Sequence, residues 1–314
     1  MFAGPPGTKK NQKSTWTTSQ LELRSAVKRS FMKIAALFVL VVLLTAVNPF
    51  EEAQAGVPLN NIEGVGGIAF NPLAYTAGTS IEPDKKSGEE KGITYKDVFS
   101  KPQFGVWYVN LNDVKVDWTS IGVAETFFKR LEVSYGHEII APVGKDIHKN
   151  NVGAKLLLLP ENFHDYKFLP AFSVGSIWKE STNVAPGVDD NDFDIYAVAT
   201  KLITQTPRPV LISGGVLSTK GLVNGVFGFD RQRKEIGFAN VDILPIDSVA
   251  VGFEFKQGAR FSDFKNANYW DAHVAWFANK NLSLVLAYVN AGNSKSTSTV
   301  GLGDGVVLSA QYAF

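Results

Sequence analysis

The sequence contains no cysteine and only two methionines, Met1 and Met32. Without cysteine the chain can form no disulfide framework, no thiolate metal site, no cysteine-dependent active site and no lipoprotein anchor. An excess of charge is also lacking, since 31 basic and 30 acidic residues give a formal net charge of +1. The composition therefore does not favour nucleic acid as a partner.

Long apolar runs are lacking as well. The longest run covers residues 34–47, which is shorter than the ~20 residues that a transmembrane helix needs. It follows Lys33 and precedes an Ala-x-Ala site, so we expect a cleaved secretory signal peptide at residues 32–55. An uncleaved anchor is the alternative. Because the signal is complete from Met32, residues 1–31 are expected to be a mis-annotated extension.

The chain beyond the signal shows a repeated period-2 pattern. In residues 248–257 one face carries only Val249, Val251, Phe253 and Phe255. Residues 281–290 and 130–136 behave in the same way, and such alternation predicts strands with one apolar face. Strands are predicted near 103–111, 114–123, 130–138, 152–159, 170–179, 194–204, 209–218, 235–244, 248–257, 269–278, 282–290 and 305–314.

The connections between these strands alternate in length. Short ones at 205–208, 245–247 and 279–281 lie between long ones at 139–151, 180–193, 219–234, 258–268 and 291–304. Outer-membrane barrels have tight periplasmic turns and long outer loops. The exceptions are 160–169, long for a turn, and 112–113, short for an outer loop. Residues 103–314 are therefore predicted to form an all-β fold, a transmembrane antiparallel up-and-down β-barrel of about 12 strands.

Aromatic residues near the predicted strand ends are expected at the membrane interfaces, where amphipathic rings are favoured. They are Trp107, Tyr108, Tyr135, Trp178, Trp270, Trp276, Tyr288 and Tyr312.

The C-terminus carries the most specific motif. Phe314 is the last residue, and Tyr312 and Leu308 share its face of the last predicted strand. This resembles the terminal signature of bacterial outer-membrane proteins, which implies recognition by the barrel-assembly machinery through strand pairing. It predicts a location in the outer membrane, with membrane lipid and lipopolysaccharide as further partners.

Residues 56–102 form an N-terminal segment before the first strand. Its stretch 61–75 contains Gly64, Gly66 and Gly67, which favour a tight turn or a close approach to other backbone. No phosphate-binding glycine pattern precedes a helix, so no cofactor is predicted. Together with residues 101–105 and the terminal strand, this stretch resembles a family of Gram-negative exported proteins known only as a domain of unknown function. We expect a periplasmic segment or a plug inside the lumen.

Charged residues on the polar faces of the strands are candidates for the lumen wall. They are Arg130, Glu132, Lys155, Glu254, Lys256, Asp271 and His273. His273 and Asp271 could form a general-base pair, but no nucleophile motif accompanies them. The alternating Asp190, Asp192 and Asp194 lack the glycine and glutamate of a calcium loop, so no metal site is predicted. A loose role in bridging divalent ions or lipopolysaccharide is the alternative to a solvated acidic loop.

A mixed-charge lumen of this size suits a porin-like channel for small solutes, which is the leading prediction. The chain is not predicted to be an enzyme. Two alternatives stay open, namely an outer-membrane lipid-modifying enzyme and a non-conducting structural or adhesion barrel that presents its outer loops.

Overall fold

The computed structural model describes residues 59–78, 98–142 and 144–314. The strands in these ranges are β1 (Gln103–Leu111), β2 (Val116–Phe127), β3 (Leu131–Ala141), β4 (Ile147–Leu159), β5 (Ala171–Ser181), β6 (Asn191–Ile203), β7 (Val210–Gly221), β8 (Phe229–Ile246), β9 (Val249–Lys256), β10 (Tyr269–Asn279), β11 (Leu282–Asn290) and β12 (Asp304–Ala313). A 3₁₀ turn spans Phe163–Asp165 between β4 and β5.

The sheet closes on itself. Each strand pairs antiparallel with its neighbours in sequence, and β1 pairs with β12 from Gln103 opposite Ala313 to Leu111 opposite Gly305. Closure leaves no edge strand, so the wall satisfies its own backbone hydrogen bonds. The predicted antiparallel barrel of about 12 strands is confirmed.

Some strands are longer than the sequence pattern indicated. β8 begins at Phe229 rather than near residue 235, and β4 begins at Ile147 rather than near residue 152. The added residues include Arg231 on β8 and His148 and Asn150 on β4, whose polar side chains stand where the outer face would otherwise be apolar and so break the alternation that marks a strand in sequence. Backbone pairing continues through them regardless, for example between Lys149 and Ser181.

The two ends of the barrel differ in their connections. β1 begins and β12 ends at one end, called the turn end here, where residues 247–248 and 280–281 make tight turns. The opposite end, the loop end, carries the long connections 182–190, 257–268 and 291–303. The two exceptions noted in the sequence persist, since 160–170 is long for the turn end and 112–115 is short for the loop end.

The strands alternate between an apolar outer face and a buried inner face. On β11, Leu286 and Tyr288 are exposed while Val285 and Ala287 are buried. Charged residues occupy the inner face of most other strands; the buried ones are Glu132, Glu138, Lys149, Lys155, Lys179, Asp194, Asp242, Glu254, Lys256, Asp271 and His273. A barrel that is apolar outside and charged inside is suited to a membrane.

Aromatic side chains form a band near each end of the outer face. The band at the loop end contains Tyr108, Trp178, Phe193, Trp270 and Tyr288, and the one at the turn end contains Phe104, Phe172, Trp276, Tyr312 and Phe314. The predicted interfacial position is wrong for Trp107, which is buried on the inner face of β1. In the part of the chain that the structure describes, no helix is long and apolar enough to span a membrane.

The outer face yields a prediction about depth in the membrane. Val274 lies at the middle of β10, whereas Val306 lies near the loop end of β12, and the two are 44% and 45% exposed. Val274→Arg is expected to lower the free energy of unfolding by about 2–4 kcal/mol, and Val306→Arg by about 0–1 kcal/mol. Urea titration in lipid vesicles measures the free energy of unfolding of both variants. Equal losses would contradict the placement of Val274 deeper in the membrane than Val306.

Candidate functional site: a chain segment inside the barrel

Residues 59–78, called the inner segment, are almost entirely buried and contact inner-face side chains around the barrel. Backbone hydrogen bonds between residues close in sequence fold the segment on itself. Asn61 N–H donates to the carbonyl of Val65, and Leu73 N–H donates to the carbonyl of Gly66. Its isolated bridges are internal, joining Asn60 to Gly66 and Gly67 to Pro72. The inner segment is therefore a separate folded strip of chain rather than a strand of the wall.

Glycines let the inner segment approach the wall backbone. Gly64 has a φ of +86°, and a Cβ there would lie 2.5 Å from the carbonyl oxygen of Tyr135. Gly122 and Gly136 lie opposite each other on β2 and β3, and a Cβ on Gly122 would lie 2.6 Å from Cα of Gly64. Only glycine permits this contact, so the expected use of the glycines in a close backbone approach is confirmed.

Glu132 and Lys155 form one anchor of the inner segment. Lys155 Nζ lies 3.0 Å from Glu132 Oε2 and donates to the carbonyl oxygens of Gly66, at 2.9 Å, and Tyr75, at 2.7 Å. Glu132 accepts hydrogen bonds from the backbone N–H groups of Gly66, at 2.9 Å, and Ala77, at 2.7 Å. This buried pair thus binds two separate parts of the segment to the β3–β4 wall.

Glu254 on β9 forms a second anchor. Its carboxylate accepts hydrogen bonds from three consecutive backbone N–H groups, those of Ala69 at 2.9 Å, Phe70 at 3.1 Å and Asn71 at 3.3 Å. Glu254 therefore fixes the middle of the inner segment on the side of the barrel away from Glu132.

Glu63 carries the segment's own charge into the wall. Its carboxylate lies 2.9 Å from Lys149 Nζ and 2.5 Å from Lys179 Nζ, and it accepts a hydrogen bond from Asn224 of the β7–β8 loop. Although burial alone would raise the pKa of Glu63, the ammonium groups of Lys149 and Lys179 hold it well below its ordinary value. Because this pKa is lowered, the ion pairs stabilise the fold at neutral pH and are lost only on strong acidification.

Smaller polar contacts complete the attachment. Gln311 accepts from the backbone N–H of Asn60 at 2.6 Å, Trp107 Nε1 donates to the carbonyl of Asn60 at 2.9 Å, and Ser120 and Ser173 donate to the carbonyls of Ile62 and Ala74. These partners belong to β12, β1, β2 and β5. With Glu132, Lys155 and Glu254, they surround the segment on most sides.

The structure locates each predicted lumen residue. Glu132, Lys155, Glu254, Lys256, Asp271 and His273 are all buried on the inner face. Arg130 departs from the prediction, because it lies in the turn before β3 and donates to the carbonyls of Leu157 and Leu158. Lys256 donates to Asn224 Oδ1 at 3.0 Å.

The sequence prediction missed Glu63, Lys149 and Lys179. Lys149 and Lys155 are separated by an even number of positions, so they share the inner face of β4, and this spacing could have identified Lys149. Lys179 lies on a strand without a clear apolar face, and nothing local assigned a partner to Glu63. Asp194 is also buried, 2.6 Å from Lys179 Nζ, whereas Asp192 pairs with Lys220.

His273 lies between two carboxylates. Its Nδ1 is 2.7 Å from Asp271 Oδ1 and its Nε2 is 2.7 Å from Asp242 Oδ1. A general base needs one ring nitrogen directed at the group from which it takes a proton, but both nitrogens are bound here. This geometry suits a fixed structural histidine. Among the described residues, no cluster of potential metal ligands is present.

The C-terminal strand closes the barrel. Leu308 and Phe314 are exposed on the outer face, and the rings of Tyr312 and Phe314 are 5.3 Å apart, edge to face. Phe314 N–H donates to the carbonyl of Pro102 beside the start of β1. Its role as an assembly signal stays a prediction.

Comparison with known proteins identifies a family. The model of a family described as "Protein of unknown function (DUF3034)" matches residues 56–311. No curated protein matches the chain. Among solved structures, the chain is similar to the NanC porin (10% identity, TM-score 0.47, covering 67% of this chain and 99% of that one). It is also similar to the KdgM porin (9% identity, TM-score 0.46, covering 68% of this chain and 99% of that one). A third similar structure is the COG4313 outer membrane channel from Pseudomonas putida F1 (11% identity, TM-score 0.37, covering 74% of this chain and 100% of that one). Because these sequence identities and TM-scores are low, the similarity extends only to the general form of the fold.

Proposed function

The chain belongs to the DUF3034 family of proteins of unknown function, and we propose that it is a channel for small solutes closed by its own inner segment. The closed barrel with its apolar outer face is an outer-membrane β-barrel. The observation that carries the proposal is the combination of a charged inner wall with a separate strip of chain bound to that wall. Solutes pass when the inner segment leaves its place.

The contacts of the inner segment support a movable closure. Besides the apolar contacts of Ile62 and Val65 with the wall, the segment is attached by many hydrogen bonds and ion pairs, such as those of Glu132, Lys155 and Glu254. Water can replace these polar partners once the segment moves. The wall, in contrast, is closed by its own strand pairs. Displacement of the segment thus exposes a polar lumen without breaking the barrel.

Weakening one anchor tests the proposal. Glu254→Ala removes the acceptor of three backbone N–H groups in the inner segment, so channel openings in planar bilayers are expected to become more frequent than in the unmodified protein. The matched control is Glu235→Ala, because Glu235 is exposed on β8 and this variant should conduct like the unmodified protein.

The two alternatives give different results in the same experiment. If Glu254→Ala folds but conducts no more than Glu235→Ala, the non-conducting structural barrel is favoured instead. A lipid-modifying enzyme would need a free nitrogen on His273, and both nitrogens of that ring are bound. Roles for lipopolysaccharide and for the assembly machinery as partners stay predictions.

A further inference from the structure

The carboxylate of Glu63 lies among buried lysines near the loop end of the barrel. Lys149, Lys179 and Lys256 stand near the loop ends of β4, β5 and β9, and all three are buried on the inner face. Glu63 Oε1 is 2.9 Å from Lys149 Nζ and 2.5 Å from Lys179 Nζ. Lys256 also attracts this carboxylate electrostatically. Three positive charges of the wall thus converge on one carboxylate that the inner segment supplies.

An amide of the β7–β8 loop adds a neutral donor to this position. Asn224 Nδ2 donates to Glu63 Oε1 at 2.8 Å, and Asn224 Oδ1 accepts from Lys256 Nζ at 3.0 Å. The loop is tied to β5, because Ser181 Oγ donates to the carbonyl of Gly225 at 2.7 Å. This tie does not involve the inner segment, so the amide of Asn224 stays with the wall when the segment leaves.

Two wall carboxylates hold the lysines in place. Glu138 Oε1 on β3 is 3.0 Å from Lys149 Nζ, and Asp194 Oδ2 on β6 is 2.6 Å from Lys179 Nζ. With the third lysine and Glu63, the cluster has three positive and three negative charges and is neutral. Departure of Glu63 leaves one positive charge without a counter-ion, which is costly inside a protein. The position that its carboxylate has left therefore attracts an anion.

We propose that the solutes of this channel are small carboxylates, and that such a solute binds where the Glu63 carboxylate lies once the inner segment has moved. This assignment rests on the proposed function, in which the segment leaves the lumen and solutes pass. The vacated position offers two ammonium groups and an amide N–H, all of which donate to carboxylate oxygens. Glu63 is thus a competitor of the solute within the chain, and a solute that binds only after Glu63 has left favours the open state.

Chemical rescue of a truncated Glu63 tests this position without requiring channel activity. Glu63→Ala removes two carbons and two oxygens, which are the heavy atoms of an acetate ion, whereas Glu63→Gln removes the charge and keeps the space filled. Urea unfolding of both full-length variants in detergent micelles is measured with sodium acetate, with sodium chloride and with acetamide, the neutral analogue of acetate.

Acetate is expected to raise the equilibrium constant for folding of Glu63→Ala about tenfold at ten times its dissociation constant. Acetamide and chloride should have less effect, and Glu63→Gln should not respond to acetate. Equal responses of the two variants to acetate would overturn the proposal. If Glu63→Ala does not fold in buffer alone, refolding in acetate but not in acetamide supports the site, and failure in both overturns it.

A second measurement tests the solute class in the channel itself. Glu254→Ala, whose inner segment is less firmly attached, is recorded in planar bilayers with equal additions of potassium acetate, potassium chloride or acetamide. Acetate is expected to raise the ratio of open to closed time about twofold or more relative to chloride, because it competes with Glu63 for the wall lysines.

The two measurements separate failure of this inference from failure of the channel. If Glu254→Ala opens but acetate leaves its open time unchanged, the assignment of carboxylate solutes is refuted and the channel stands. If Glu254→Ala never opens although acetate rescues Glu63→Ala, the channel fails, and the solute assignment fails with it.

Discussion

Deletion of residues 59–78 is expected to convert a closed barrel into a constantly conducting one. Each strand pairs with its two neighbours around the closed barrel, so the wall keeps these hydrogen bonds when the inner segment is absent. Water then reaches the inner face, where Lys149, Lys155 and Lys179 become hydrated rather than buried. A hydrated charged lumen conducts ions, as in other barrels with polar interiors.

Single-channel recording in planar bilayers measures this change. Resistance of the deleted barrel to unfolding in detergent without heat shows first that it has folded. A synthetic peptide with the sequence of residues 59–78, added to the deleted barrel, is expected to reduce the conductance, and a scrambled peptide is not. A folded barrel that lacks the segment and stays silent would refute the channel function.

The second large effect concerns the buried anchor of Lys155. Lys155→Met keeps most of the side-chain volume but leaves the carboxylate of Glu132 buried without its counter-ion and removes donors from carbonyls of the inner segment. Loss of one partner from a buried ion pair costs about 3–5 kcal/mol. We therefore expect the free energy of unfolding to fall by about this amount.

Lys220→Met is the matched control for this prediction. Lys220 also pairs with a carboxylate, that of Asp192, but both side chains are partly exposed, and such pairs contribute about 0–1 kcal/mol. Urea unfolding followed by tryptophan fluorescence compares the two variants. If both variants lose a similarly small amount of unfolding free energy, Lys155 is hydrated and the inner segment is not held against it.

Much of the barrel was predictable because strand periodicity is a local property. In residues 248–257 and 281–290 the apolar outer face repeats every second position, and this spacing alone assigned Glu254 and Lys256 to the inside. Trp107 was misplaced for a related reason. The inner face of β1 is itself apolar, with Val109 and Leu111 beside Trp107, so both faces of that strand look alike in sequence.

The path of the inner segment was not predictable from the sequence. Its glycines indicated a close backbone approach, but the partners Gly122 and Gly136 lie far along the chain. The ion pairs of Glu63 with Lys149 and Lys179 also join residues that are distant in sequence. Such contacts depend on the closed barrel and leave no periodic trace.

An engineered disulfide between the inner segment and β1 tests whether displacement of the segment opens the channel. A Cβ added to Gly105 would lie 3.4 Å from Cβ of Asn60, close to the ~3.5–4.5 Å that a disulfide requires. The chain has no cysteine of its own. We combine Asn60→Cys and Gly105→Cys with Glu254→Ala in one variant. The disulfide between residues 60 and 105 therefore links the inner segment to β1 and to nothing else.

The conductance of this variant in planar bilayers is measured before and after addition of a reductant. Pairing Asn60→Cys with Val106→Cys gives the control, because residue 106 faces outward and cannot form the link. The oxidised variant with Gly105→Cys is expected to stay closed and to open on reduction, while the control opens in both conditions. Openings that persist with the disulfide formed would contradict this expectation, because solutes would then pass without displacement of the inner segment.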